Sequence, residues 1–169
     1  MLTPDDIISA LDLKPLSMEG GFYRETYRSP EKISRDALPE RYQSDKSFST
    51  AIYYLLTPDT FSEIHRLATD EIFHFYFGDP VTMLLLYPDG RSSVVTLGQD
   101  IIAGEHVQYT IPAGTWFGLT LSPGGKFALM GTTVAPAFDF SDYESGSRTE
   151  LLEKYPDQSD LIIKLTKTD

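Results

Sequence analysis

From Phe48 to Pro136 apolar and polar residues alternate in short runs, and a Pro/Gly cluster closes most of them. Period-two alternation puts residues i and i+2 on one face, so such runs read as strands. The pattern predicts strands over Ser49–Leu56, from Thr60 to about Leu67, Glu71–Phe77, Val81–Tyr87, Ser92–Leu97, His106–Ile111, Trp116–Leu121 and Lys126–Val134. The turns fall at Pro58-Asp59, Ala68–Asp70, Pro88-Asp89-Gly90, Pro112-Ala113-Gly114 and Ser122-Pro123-Gly124-Gly125. The two strands around Ala68–Asp70 read as a hairpin. Short strands at this spacing, joined by such turns, belong to a sandwich or barrel.

The flanks follow other patterns. Thr3 caps a short helix with Pro4 in its first turn, Ile7, Ile8, Leu11 and Leu13 on its apolar side, and a stop before Pro15. After Met18-Glu19-Gly20-Gly21, a turn signal, Phe22–Ser29 alternates as a strand with Tyr23, Glu25 and Tyr27 on one face. Residues 30–47 carry many charges and little periodicity. They read as a long exposed connection, with a lid or a subunit contact as the functional alternative. Arg148–Tyr155 and Asp160–Thr166 read as two short helices. The chain is expected to be a single domain over 1–169: N-terminal helix and strand in 3–29, barrel in about 48–136, and tail in 137–169.

Charge and composition narrow the partners. Fourteen Lys and Arg against 25 Asp and Glu give a formal charge of −11, which disfavours nucleic acid and anionic membrane surfaces. No run approaches the ~18 apolar residues of a membrane helix. The N-terminus has no basic region followed by an apolar run, and a cytoplasmic protein is expected. With no cysteine, disulfides, thiolate nucleophiles and thiolate zinc sites are excluded.

Candidate chemistry concentrates in Thr60–Gly78, which holds two of the three histidines. Strand parity puts His65 on one face with Glu63 and Leu67, and Glu71 with Phe73, Phe75 and Phe77. His74 then points away from Glu71, outward or between sheets, and His106 reads as a surface residue. A histidine titrates near neutrality and suits proton transfer. Glu71 is the candidate for its partner, and a buried carboxylate is expected to have one. Phe73, Phe75, Phe77 and Met83 form an apolar wall. Trp116 and Phe117 are candidates for stacking on a ligand, with core packing as the plainer reading. No phosphate-binding glycine loop, nucleotide fingerprint or Ser/His/Asp order is present.

His65, Glu71 and Gly78 keep the spacing of the first cupin motif, and Pro112-Ala113-Gly114 resembles the Pro-x-Gly of the second. Three positions depart: Asp59 stands for the leading glycine, Leu67 for the second histidine and Phe117 for the last one. Longer segments, Glu19–Ser29, Ser62–Arg66, Asp70–Pro80 and Val134–Phe140, resemble a single-domain cupin family of unassigned function. Its nearest characterised relatives in shape are the dTDP-4-keto-sugar 3,5-epimerases. The resemblance implies an all-β fold, the cupin double-stranded β-helix or jelly roll, with a short N-terminal helix and C-terminal helical turns. It implies a homodimer and a small-molecule ligand, with no metal and no other cofactor, since two ligands fall short of a metal site. It also implies His65 and Glu71 as catalytic residues, with Tyr23, Glu25, Trp116 and Phe117 around the ligand. The expected activity is a metal-independent epimerase or isomerase step on a sugar or nucleotide derivative. A non-catalytic binding cupin is the alternative, and a metal-dependent cupin enzyme is the third reading.

Overall fold

A computed structural model describes residues 2–168; Met1 and Asp169, the ends of the expected 1–169 span, lie outside the described residues. In chain order the elements are α1 (Pro4–Ala10), β1 (Lys14–Pro15), β2 (Phe22–Arg28), β3 (Lys32–Ile33), β4 (Lys46–Ser47), β5 (Thr50–Leu56), β6 (Phe61–Arg66) and β7 (Glu71–Gly78). They continue with β8 (Val81–Leu86), β9 (Ser92–Leu97), β10 (Gln108–Ile111), β11 (Trp116–Leu121), β12 (Ala128–Val134), β13 (Glu144–Ser145), α2 (Arg148–Lys154) and α3 (Ser159–Lys164). A six-stranded sheet in the order β1-β2-β5-β12-β7-β10 packs on a five-stranded sheet in the order β13-β6-β11-β8-β9. Their inner faces close over Tyr54, Phe73, Phe75, Met83, Leu85, Phe117, Leu119 and Met130. This is a jelly roll, and the all-β expectation stands.

The apparent hairpin around Ala68–Asp70 is not one. β6 belongs to the five-stranded sheet and β7 to the six-stranded sheet. A turn signal marks where the chain reverses, but it carries no information on whether the flanking strands pair or cross to facing sheets. The crossing turn is tied to the Pro112–Gly114 turn: the Ala113 N–H donates to Asp70 Oδ1 at 2.8 Å and the Gly114 N–H to the Leu67 carbonyl at 2.9 Å.

Both outer faces are covered by the helical flanks. α1 is started by a Thr3–Asp6 capping box, and Ile7 with Leu13 packs on Leu55 and Leu129 of the six-stranded sheet. Leu151, Tyr155, Ile162 and Leu165 cover Ile64, Leu84 and Leu86 of the five-stranded sheet. That second layer explains why Ser62, Glu63, Ile64 and His65 are buried in succession: β6 has protein on both faces.

Residues 30–47 are more structured than an exposed connection. β3 pairs with β4, Tyr42 is buried, and Lys46 is 0% exposed. The Lys46 ammonium donates to Asp142 Oδ2 at 2.6 Å and Asp139 Oδ2 at 2.9 Å. Desolvation, the largest effect on this lysine, lowers its pKa, but the two carboxylates more than offset it and the net shift is upward. Two acids therefore hold the charge inside the protein and pin the 138–143 loop to β4. Removing one partner of a buried ion pair strands the other, at a cost of about 3 kcal/mol. Lys46→Ala should lower the unfolding free energy by about that amount, measured by urea denaturation at neutral pH. A loss below about 0.5 kcal/mol would show that the loop is held by something else.

Candidate functional site

One cavity of about 300 Å³ opens at an end of the sandwich. β2 contributes Tyr23, Glu25 and Arg28; β5 contributes Thr50 and Ile52; β12 contributes Thr132 and Val134. His65 from β6 and Glu71 from β7 lie deep in it. Leu16, Met18 and Glu19 precede β2, and Phe138, Asp139, Phe140 and Tyr143 come from the loop that Lys46 pins.

His65 is buried and its orientation is fixed. Nδ1 lies 2.7 Å from the Glu63 carbonyl oxygen, which can only accept, so Nδ1 carries the proton and donates. Tyr143 stacks on the ring at 4.8 Å with 20° between planes, and Phe117 packs against it at 4.3 Å. Nε2 is left facing Glu19, whose Oε2 is 3.8 Å away. The Ser62 hydroxyl donates to Glu19 Oε1 at 2.7 Å.

The acid beside His65 is therefore Glu19, not Glu71, and among the described residues no hydrogen bond joins His65 to Glu71. Two features of the chain produce this. A bulge in β6 sets Phe117 opposite His65 but Leu119 opposite Ser62, so three residues of β6 span two of β11. Ser62 and His65, which simple alternation puts on opposite faces, both reach Glu19. Glu63, expected beside His65, instead pairs with Lys167 at 2.5 Å. Gly118 makes room for the bulge, because a Cβ there would lie 2.9 Å from the Ser62 carbonyl oxygen. Gly20, at φ 105°, presses the Glu19 loop on β6; a Cβ would meet the Phe61 carbonyl at 2.1 Å. The Glu63 N–H closes the contact on the Glu19 carbonyl at 2.8 Å. Glu19 thus escaped sequence reasoning because it sits in a turn. The Gly-Gly pair after it was the available signal.

Glu71 occupies the same cavity without the partner expected of it. The residue is 7% exposed and Oε2 has no hydrogen-bond partner. Burial raises its pKa from the ordinary glutamate range to about 8, the Glu19 charge pushes in the same direction, and the Thr132 hydroxyl works against both. The group is therefore mostly protonated at neutral pH. Burial also raises the Tyr143 phenol, aided by the charges of Glu19 and Glu63, and the Tyr54 phenol. The Tyr54 hydroxyl donates to the Gly20 carbonyl at 3.0 Å.

The face of β2 also departs from alternation. A register shift between Glu25 and Tyr27 turns Tyr27 outward, 52% exposed, and brings Arg28 into line with Tyr23 and Glu25. Arg28 donates to both Glu25 oxygens at 3.1 and 2.8 Å, and its Nη1 lies 3.5 Å from Asp139. Among the described residues lining the cavity it is the one Lys or Arg, and two acids already hold it.

The remaining candidates fall elsewhere. Phe117 is core: it touches His65 and Phe73 but does not line the cavity. Trp116, one position earlier on the strand, faces outward beneath Arg66, whose guanidinium lies 4.4 Å from the ring. A bulge in β7 sets Phe75 opposite Met130 but Phe77 opposite Leu129, so Phe77 leaves the predicted inner wall for the outer face. His74 meets Thr133 at 3.1 Å and Gln108 at 3.2 Å beyond the cavity lining, and His106 is exposed.

A cupin metal does not fit this donor set. Leu67, where the second motif histidine would stand, lines the cavity with a hydrocarbon side chain, and Phe117 fills the position of the last one. Among the described residues no group of three or more His, Asp or Glu is arranged to hold an ion.

A jelly roll with its site at one end of the strands defines a cupin. Residues 5–146 match the family described as Cupin superfamily (DUF985), and the chain belongs to that family. It is 34% identical over 134 residues to uncharacterized protein YML079W of Saccharomyces cerevisiae, covering 74% of this chain and 66% of the yeast protein, just under two thirds. Among solved structures, protein SO0799 from Shewanella oneidensis superposes over 100% of both chains, with a TM-score of 0.87 and 34% identity. A hypothetical protein from Leishmania major matches at 0.84 and 30% identity, over 98% of this chain and 99% of its own. Oxalate decarboxylase from Bacillus subtilis matches at 0.53 with 15% identity, over 89% of this chain and 36% of that one, a likeness of fold alone. Among the described residues no helix is long and apolar enough to cross a membrane.

The Glu71 shift has a consequence for stability. A carboxyl group whose pKa is raised on folding costs nothing below its unfolded value, near 4.5. The cost grows as pH rises and is complete above about 8. Glu71→Gln removes it. The variant should match the parent near pH 4 and melt roughly 10 °C higher at pH 8.5, followed by circular dichroism. An equal melting temperature at pH 8.5 would contradict the desolvated carboxyl.

Proposed function

We propose that this chain is a metal-independent cupin that binds a small polar metabolite in the cavity and moves a proton on it, with His65 as the base. The observation that carries the reading is the fixed imidazole: its Nδ1 proton is committed to the Glu63 carbonyl, and Nε2 is free to accept one from a ligand. Glu19, 3.8 Å away, stabilises the imidazolium that results. Tyr143 and Phe117 hold the ring plane. Glu71 meets the polar end of the ligand, and Tyr23 and Glu25 line the way in. A base that removes a proton from a carbon, with a second acid such as a tyrosine returning one to the opposite face, performs an epimerase step; return to a neighbouring atom makes it an isomerase step. Among sugar and nucleotide derivatives, diphosphate-bearing ones suit this cavity least, because its one Lys or Arg among the described residues is already paired with Glu25 and Asp139. The reading includes a cytoplasmic homodimer, with neither nucleic acid nor membrane as partner, in keeping with the charge of −11.

The test uses protein stripped with EDTA and a thermal-shift screen of sugars, amino sugars, nucleosides and sugar phosphates. Compounds that raise the melting temperature are then incubated with the protein in D2O and followed by proton NMR. At least one should lose a C–H signal, and His65→Gln should slow that loss by at least ~100-fold. Bound compounds that never exchange would establish a binding-only protein. Exchange that requires added divalent metal would overturn the metal-independent reading.

A further inference from the structure

The closed end of the cavity holds two carboxyl groups, Glu19 and Glu71, and no Lys or Arg. Glu19 is engaged by the Ser62 hydroxyl and faces His65. Glu71 is more than nine-tenths buried, lines the same cavity and leaves Oε2 without a hydrogen-bond partner. Nearer the mouth, Glu25 and Asp139 outnumber Arg28, which they neutralise. Rings of Tyr23, Phe138, Phe140 and Tyr143 make much of the remaining wall.

We infer that the ligand of this cavity carries a protonated amine, which binds between Glu19 and Glu71 against the aromatic wall. The inference rests on the functional reading above and names its substrate class. An ammonium group gives Glu71 Oε2 the donor it lacks and makes charge-assisted hydrogen bonds to both acids. The aromatic faces suit a cation, as they would not an anion. A neutral ligand leaves the two acids opposed, and an anion meets carboxylates at the floor and at the mouth. A cation also reverses the balance that keeps Glu71 protonated, so its binding expels the Glu71 proton to solvent.

Benzylamine, benzyl alcohol and benzoate differ in charge at nearly constant size and fit the cavity. Isothermal titration of the intact protein at pH 7, in two buffers of different ionisation enthalpy, reads both affinity and proton release. Benzylamine should bind at least ~10-fold more tightly than benzyl alcohol, benzoate more weakly still, and amine binding should release close to one proton. In Glu71→Gln, and separately in Glu19→Gln, the preference for benzylamine over benzyl alcohol should fall by about 10-fold. Benzyl alcohol or benzoate binding as tightly as benzylamine would overturn the cation class while leaving a small-molecule site. An amine preference unchanged in both variants places the cation elsewhere and overturns it too. Failure of all three probes to bind also overturns it, whereas the proton-transfer reading stands or falls on the deuterium exchange.

Discussion

Burial of Glu71, with the Glu19 carboxylate nearby, disfavours its ionised form, and much of the site follows from that constraint. Glu71 and His65 are buried, so charge on one group there is felt strongly by its neighbours. Glu19 is stabilised by the Ser62 hydroxyl and by the imidazole it faces. Glu71 has the Thr132 hydroxyl beside it and one oxygen with no partner, so it takes up the proton. The outcome is one acid facing the imidazole, one acid held toward its neutral form and one oriented histidine within a single pocket. Each is carried by a different element: a turn, β7 and β6.

Holding that arrangement requires strands that do not alternate regularly. The jelly roll was legible in the sequence because its strands are short, amphipathic and bounded by Pro and Gly. Trp116–Leu121 and Ser92–Leu97 match the structure at both ends. His65 and Glu71 were legible as cavity residues through their motif spacing, and Tyr23 and Glu25 through the family resemblance. What alternation could not reveal lies at three bulges, in β2, β6 and β7. They bring Arg28 to the cavity in place of Tyr27, join Ser62 to His65, and expel Phe77. A bulge depends on room in the neighbouring strand, as at Gly118, and that room is a property of tertiary packing. The same limit hid Glu19, Asp139 and Tyr143, which come from loops that only the fold draws over the pocket.

Buried charge sets the outer boundary of the site as well. Lys46 is enclosed by protein and satisfied by two aspartates from the loop that roofs the cavity. Arg28 links that loop to β2 through Asp139, Glu25 and the Phe138 carbonyl. The roof is thus tied to β4 and β2 by ion pairs. Membership of the DUF985 cupins fixes the architecture, while Leu67 and Phe117 remove the donors a cupin metal would need.

Glu71 is held toward its protonated form at neutral pH because it is desolvated beside Glu19. Carbon-13 NMR of labelled glutamate carboxyls, titrated from pH 4 to 10 and assigned by Glu71→Gln, measures it directly. The expected result is a Glu71 midpoint near 8, and a lower one in Glu19→Gln. A Glu71 carboxyl that titrates at the ordinary glutamate value, near 4.5, would contradict it.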